Sequence, residues 1–180
     1  MGSRKEIPAG AATGVSGGIS PEHYRTVIEF LEDWGWEAVP SMKAEYKGEG
    51  VYSKLVGGVL KLISAHNGRI SCILNVKPPI LNGTGRMHGM GVASVAERVA
   101  IGCAKTVVGK EKDNLFLGEL SVSFLSSAPR NAEVVVNGCV VKSGRNLTIV
   151  DVSFRSDEES GGRLLYLSRA TFYNMPLSTL

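Results

Sequence analysis

The chain has 180 residues, of which 43% are hydrophobic, enough to build the core of one ordinary domain. Its 20 Lys and Arg residues and 17 Asp and Glu residues are spread along the chain, which favours a small anionic ligand over a nucleic acid. No stretch approaches the roughly 18 apolar residues that a membrane-spanning helix requires. The composition therefore predicts a soluble single-domain protein without a nucleic-acid partner or a membrane span.

Three cysteines, Cys72, Cys103 and Cys139, lie far apart among apolar or small residues, and we expect reduced, mostly buried thiols. Neither a paired cysteine spacing nor a Cys/His cluster supports a metal site, and no cofactor is expected. Reduced thiols favour the cytoplasm, with mitochondrion, plastid or peroxisome as alternatives. Residues 1–19 lack the apolar run of a secretory signal and are predicted to form a flexible tail, followed by a single domain over residues 20–180.

The first predicted element is a helix over about residues 21–34. Ser20 can cap its free backbone N–H groups, and Pro21 loses no hydrogen bond at the first helical position. Apolar residues recur there at spacings of three and four, which predicts one apolar face: Tyr24, Val27, Ile28, Leu31 and Trp34. Trp34 and Trp36 fit either the core or a ligand channel, and the core is the more common place for aromatic residues near a helix end.

Extended segments account for most of the remaining chain. The Asn67-Gly68 dipeptide between the first two suits a tight hairpin, and Gly- or Asn-containing turns separate the later ones. The predicted strands cover residues 59–64, 69–76, 115–124, 132–142, 147–155 and 163–173. Together they predict a meandering antiparallel sheet.

A long helix is predicted between these strands, from His88 to about Val108. Its residues are small or apolar on nearly every face, so it should be buried, and the small side chains would let the sheet approach closely. One central helix wrapped by a curved antiparallel sheet, with an extra N-terminal helix, is the α+β arrangement known as the hotdog fold. We expect its core over about residues 55–175.

Glu97 is the acidic residue of that helix, between Val95-Ala96 and Arg98-Val99. A carboxylate in apolar surroundings is costly unless it is paired, and desolvation tends to raise a carboxyl pKa into the range useful for a base or nucleophile. A structural ion pair, for instance with Arg98, is an equally good interpretation of the composition alone.

The start of the same helix, His88-Gly89-Met90-Gly91, is predicted to present unbonded backbone N–H groups and the positive end of the helix dipole. Gly89, without a side chain, would let a thioester carbonyl approach, and close packing is the alternative reason for these glycines. Eight residues separate Gly89 from Glu97, or about 12 Å of helix rise. If both act on one thioester, Glu97 must come from a second subunit related by a two-fold axis.

These residues resemble the hotdog acyl-CoA thioesterases, particularly the thioesterase superfamily group close to human acyl-CoA thioesterase thirteen, and more distantly the phenylacetate-pathway thioesterases. The matching segments are residues 62–65 with Gly68-Arg69, residues 82–89, Glu97, and residues 122–128. The resemblance implies acyl-CoA hydrolysis in fatty acid metabolism by a homodimer, or a homotetramer built as a dimer of dimers.

For the site, the resemblance implies that the Gly89 N–H polarises the thioester carbonyl and that Asn82 orients the site or a water molecule. Glu97 would activate the attacking water or attack directly, and His88 would be a structural residue at the helix start rather than a proton shuttle. This chain departs from its nearest relatives in carrying Met90 for a second Gly and Glu97 for Asp. A Ser that assists catalysis there aligns with Leu117, and Ser121 or Ser123 would replace it only if the strand register permits.

Coenzyme A carries several phosphate charges, so basic residues are expected at the tunnel mouth. Candidates in or beside loops are Arg86, Arg130, Lys142 and Arg145, each of which also fits an ordinary solvated surface. Two other functions stay open. One is a non-catalytic acyl-CoA or lipid-binding protein of the same fold. The other is a dehydratase using His88 and Glu97, which ranks last because these residues lie nine positions apart on one helix.

Overall fold

A computed structural model of the protein describes residues 20–32, 56–108, 114–157 and 162–175. The predicted tail over residues 1–19 lies outside these ranges, as do Trp34 and Trp36. The elements in chain order are α1 (Pro21–Glu32), β1 (Leu60–His66), β2 (Arg69–Asn75), a 3-10 turn (Pro78–Ile80), α2 (Gly89–Ala104), β3 (Asn114–Phe124), β4 (Glu133–Ser143), β5 (Leu147–Ser156) and β6 (Leu164–Met175).

The strands form one six-stranded antiparallel sheet in the order β1-β2-β4-β5-β6-β3. Register shifts interrupt four of its five strand pairs, and such bulges bend strands and increase their twist. The curved sheet wraps around α2, which contacts β2 to β6, while α1 packs against β1 and α2. The predicted hotdog fold with an extra N-terminal helix is therefore confirmed.

The predicted hairpin turn at Asn67-Gly68 is confirmed, with Gly68 at a φ of 72° that favours glycine. It also anchors the end of α2. The Gly68 N–H donates to Thr106 Oγ1 at 2.8 Å, and the Thr106 hydroxyl in turn donates to the Cys103 carbonyl at 2.7 Å. The Thr106 and Val107 N–H groups donate to carbonyls three residues back rather than four, and the α-helix ends at Ala104 rather than near residue 108 as predicted.

The core lies between α2 and the concave side of the sheet. Small side chains of the helix meet β-branched side chains of the strands, and the helix approaches the sheet closely over Gly138 of β4. A Cβ at Gly138 would lie 3.1 Å from Cys103 Cβ and 3.2 Å from Val99 Cγ1. Cys72 and Cys103 are buried, which raises the pKa of each thiol to about 12, whereas Cys139 is only half-buried. The sheet and helix thus pack as closely as the small residues of α2 predicted.

One side of α2 departs from the prediction that the helix is buried all round. The sheet covers the other sides, so residues at spacings of three and four are left half-buried or exposed. We call this set the outward face of α2: Met90, Ala93, Ser94, Glu97, Ile101 and Lys105. It combines apolar and polar side chains with the acid at its middle.

Candidate active site

The N-terminus of α2 begins at His88, which caps the helix. Its backbone is extended, and its ring Nδ1 accepts a hydrogen bond from the Met90 N–H at 3.0 Å. The His88 N–H donates to the Ile80 carbonyl at 2.8 Å and so ties the cap to the 3-10 turn. With Nδ1 acting as an acceptor, the ring stabilises the helix start, which favours the structural role of His88 over a proton shuttle.

Capping by His88 removes one of the backbone donors expected at this helix end, since the Met90 N–H is already bonded. The backbone N–H of Gly89 differs, since within the described ranges we find no acceptor for it. It stands at the first position of a 16-residue helix, where backbone donors are unbonded and the helix dipole is positive. An incoming carbonyl oxygen can accept from this group.

The loop before the helix is organised by Asn82. Its Oδ1 accepts three hydrogen bonds, from the Thr84 N–H at 3.0 Å, the Thr84 hydroxyl at 2.7 Å and the Arg86 N–H at 3.1 Å. Backbone bonds between Asn82 and Arg86 and between Gly85 and Asn82 close the same turn. The side-chain oxygen of Asn82 is therefore committed to the loop, and the amide Nδ2 is the group that can act on a ligand.

Two substitutions of Asn82 separate these uses of its side chain. We expect Asn82→Ala to lower both the melting temperature and the rate of any thioester hydrolysis, because it removes the three loop bonds. Asn82→Asp keeps acceptor oxygens for the loop but loses the Nδ2 donor. It should therefore melt close to the unaltered protein while its kcat falls about tenfold, the size expected for one hydrogen bond to a charged group. Thermal melting and turnover, measured side by side, check this. An Asp variant with full turnover would limit Asn82 to ordering the loop.

Glu97 lies two helical turns along α2 from Gly89, at the centre of the outward face. Its side chain is half-buried, and we find no hydrogen bond or ion pair for it within the described residues. Arg98, the predicted alternative partner, lies on a buried side of the helix. It is only 6% exposed, and burial lowers the pKa of its guanidinium to about 10. A structural ion pair between Glu97 and Arg98 is therefore absent from this part of the chain.

Within one chain Gly89 and Glu97 stay apart, since their separation in sequence corresponds to about 12 Å of helix. Glu97 belongs to the outward face, and the exposed Met90 next to Gly89 shares it, being 62% exposed. A second copy of α2 running antiparallel against this face would bring its acid to the first copy's Gly89.

The basic candidates fall into two groups at opposite ends of the sheet. Arg86 and Arg130 lie together beside the start of α2. The backbone of Arg86 forms an isolated β-bridge with Pro129, and its guanidinium donates to Ser127 Oγ at 2.7 Å. The Arg130 N–H donates to the Gly85 carbonyl at 3.1 Å. Strand β4 then runs away from this end, because Asn75 pairs with Glu133 and Arg69 with Cys139. Lys142 and Arg145 therefore lie roughly 30 Å further along the sheet.

The structure also shows whether a Ser of β3 can take the place of the Ser that aligns with Leu117 in the relatives. Leu117 is half-buried and packs against the core. A bulge after it changes the alternation, so that Leu120 and Val122 point inward and Ser121 and Ser123 are exposed on the other face. Neither Ser can thus take the place that aligns with Leu117.

Phe124 is a site residue that the sequence analysis did not single out. Its ring lies at the start of α2, with Cζ 3.5 Å and Cε1 3.6 Å from the position of a Cβ at Gly89. Nothing in the local pattern distinguishes it from other aromatic residues at strand ends. Its position follows from β3 running back along α2, so only the pairing of the two elements could have revealed it.

In the described part of the chain, no group of three or more His, Cys, Asp and Glu side chains is placed to hold a metal ion. The same ranges contain no helix of the length and apolarity needed to cross a membrane.

Part of the chain is similar to a known family. Residues 84–162 match the family model described as the thioesterase superfamily. The match includes Gly89, Glu97 and strands β3 to β5, and the chain as a whole has the hotdog fold. The narrower grouping with human acyl-CoA thioesterase thirteen stays a prediction. No curated protein sequence matches the chain significantly.

Solved structures share the fold at low sequence identity. Zebrafish thioesterase superfamily member 2 is 18% identical, with a TM-score of 0.67, over 84% of this chain and 97% of that one. Its mouse counterpart is 15% identical, with a TM-score of 0.68, over 87% and 100%. A Streptococcus mutans protein solved with acetyl CoA bound is 16% identical, with a TM-score of 0.59, over 65% and 89%.

Proposed function

We propose that this protein hydrolyses acyl-CoA thioesters to a free acid and coenzyme A. The observation that carries the proposal is the Gly89 N–H at the start of the central helix, for which the described residues provide no acceptor. Preorganised donors of this kind stabilise the oxyanion that forms when a thioester carbonyl is attacked. The superfamily match over residues 84–162 supports the reaction class, and the acetyl CoA in the Streptococcus mutans structure supports the substrate class.

The site is shared between two subunits of a homodimer. On one helix Gly89 and Glu97 are too far apart to act on the same carbonyl. The outward face of α2 is partly apolar and is left uncovered by its own sheet, as expected of a surface that packs on a partner. A two-fold axis through this face creates two equal sites, each with Gly89 from one subunit and Glu97 from the other. Association of two such dimers into a tetramer stays a prediction.

The reaction needs one proton acceptor and one oxyanion donor. As general base, the Glu97 carboxylate takes a proton from water while the water oxygen bonds to the thioester carbon, and the Gly89 N–H holds the resulting oxyanion. The carbon–sulfur bond then breaks, and the proton held by Glu97 passes to the leaving thiolate. As nucleophile, Glu97 would instead form an acyl anhydride that water hydrolyses. Asn82 orients the site through its amide Nδ2.

Arg86 and Arg130 are the basic residues best placed for the phosphates of coenzyme A at this site, since both lie beside the start of α2. Lys142 and Arg145 lie at the far end of the sheet, so either could reach the ligand only from another subunit. The predicted set of four therefore divides by position into two near and two distant candidates.

Release of free thiol from a panel of acyl-CoAs tests the proposed reaction. The panel should contain straight-chain acyl groups of several lengths and at least one aromatic acyl group, with binding measured in parallel by calorimetry. We expect thiol release from at least one member at a rate well above that of the substrate alone. Micromolar binding without thiol release across the panel would favour the non-catalytic acyl-CoA-binding function and overturn hydrolysis.

A further inference from the structure

The ring of Phe124 packs against Gly89 at the start of α2, next to the proposed oxyanion donor. Its Cζ and Cε1 atoms lie 3.5 and 3.6 Å from the position that a Cβ at Gly89 would occupy, which is ordinary van der Waals contact. Even so, 57% of the side chain is exposed. One edge of the ring therefore packs on the helix start, and the rest forms a free apolar surface beside the Gly89 N–H.

Phe124 is held in this position by the aromatic residues behind it. Its ring meets Tyr166 edge to face, with centroids 5.8 Å apart and an interplanar angle of 73°. Tyr166 meets Phe154 in the same way at 5.6 Å and 79°. Tyr166 is 2% exposed, and its hydroxyl accepts a hydrogen bond from the Ala128 N–H at 2.9 Å. The three rings form a row that leads from the helix start into the core, and the contact with Tyr166 stabilises the position of Phe124.

Arg86 lies close to the same aromatic row. Its guanidinium donates to Ser127 Oγ at 2.7 Å, and its charge acts on Tyr166, the ring behind Phe124. An apolar acyl group would lower its free energy against the free surface of the Phe124 ring, whereas the phosphates of coenzyme A would be stabilised at the guanidinium groups of Arg86 and Arg130. Because Phe124 is the side chain in contact with the Cβ position of Gly89, the acyl side of a thioester bound at the Gly89 N–H should lie against its ring.

We infer that Phe124 determines acyl specificity by limiting the bulk next to the thioester carbonyl. The inference rests on the proposed function. A carbonyl oxygen bonded to the Gly89 N–H places its α-carbon within contact of the ring, so a linear acyl chain can pass along the ring surface. A branch at the α-carbon would collide with it. Truncating the ring should open this space, and the change should be largest for substrates that differ only at the α-carbon.

Butyryl-CoA and isobutyryl-CoA are the matched substrates, because they have equal composition and differ in branching at that carbon. We expect Phe124→Ala to raise the ratio of kcat/KM for isobutyryl-CoA to that for butyryl-CoA about tenfold, the lower range for one methylene in an apolar pocket. Phe124→Leu should give an intermediate ratio. Melting temperatures of both variants show that they fold.

Phe116→Ala is the matched control. Phe116 is on the same strand, is 62% exposed and lies at the opposite end of β3 from Gly89. Its truncation should leave the ratio unchanged. A ratio that stays within twofold in folded Phe124→Ala, or that shifts equally in Phe116→Ala, would overturn the inference.

Binding distinguishes this inference from the proposed function. The dissociation constants of the two acyl-CoAs can be measured by calorimetry in a Glu97→Gln background, with and without Phe124→Ala, where turnover does not consume the ligand. If the unaltered protein releases no thiol, the proposed hydrolysis fails. The ratio of the two dissociation constants then still tests Phe124, with the same expected tenfold shift and the same control.

Discussion

Replacing Glu97 by Gln should lower kcat for the best acyl-CoA substrate by about 100-fold or more. General acid-base catalysis by a positioned side chain contributes about 10²–10⁴-fold, and Gln has the size of Glu but accepts no proton. Folding should be unaffected, since within the described residues Glu97 has neither a hydrogen bond nor an ion pair to lose. Thiol release under saturating substrate and a thermal melt of the same sample give both quantities. Glu97→Ala should be equally inactive.

Glu133→Gln is the matched control for Glu97→Gln. Glu133 is an exposed carboxylate on the outer side of β4, on the opposite side of the sheet from α2. Glu133→Gln removes one negative charge, as Glu97→Gln does, but away from the site, and its kcat should stay within twofold of the unaltered protein. If Glu97→Gln retains more than a tenth of the turnover while Glu133→Gln behaves normally, Glu97 is neither the base nor the nucleophile.

The fold could be predicted from the sequence because its signals are local. The Asn67-Gly68 turn, the alternation along β2 and the small residues of α2 each identify one element without knowledge of the others. The ends of elements were less predictable because distant residues set them. The helix α2 ends at Ala104, and just beyond it Thr106 accepts a hydrogen bond from the hairpin at Gly68, 38 residues away.

The site was only partly predictable for a related reason. Composition identifies Glu97 as unusual but does not tell which side of α2 the sheet covers, so the acid is half-buried on the outward face and Arg98 takes the buried side. The spacing of Asn82, His88 and Gly89 indicates a ligand-binding loop. It does not reveal that the Asn82 oxygen holds the loop or that the His88 ring bonds the Met90 N–H. Phe124 reaches Gly89 only through the packing of β3 on α2.

Replacing Gly89 by Pro should lower kcat by about 10²–10³-fold, the usual effect of losing one oxyanion donor. Proline replaces the N–H at this position by a ring carbon and is well tolerated at the first residue of a helix. His88 already has the extended backbone that a residue before proline prefers, with φ −72° and ψ 141°. We therefore expect the Gly89→Pro variant to fold, with a melting temperature close to that of the unaltered protein.

Gly89→Ala is the matched variant that keeps the N–H. Its added Cβ would lie 3.5 Å from Phe124 Cζ, an ordinary contact that requires no rearrangement. Its kcat should exceed that of Gly89→Pro by tenfold or more. Equal losses in the two variants would mean that the space at Gly89 matters rather than its N–H, and the oxyanion role would be wrong.

Combining the two inactive variants tests the shared site directly. In a heterodimer of one Glu97→Gln subunit and one Gly89→Pro subunit, one site contains both substitutions and the other contains neither, if each site takes Gly89 and Glu97 from different subunits. Heterodimer purified through two different affinity tags should therefore recover about half the kcat of the unaltered dimer, while each variant alone stays nearly inactive. A site formed within one subunit would carry one substitution in each copy, and the heterodimer would be as inactive as its parents. Recovery of activity thus reports the arrangement of the two helices without any assumption about which acyl group is hydrolysed.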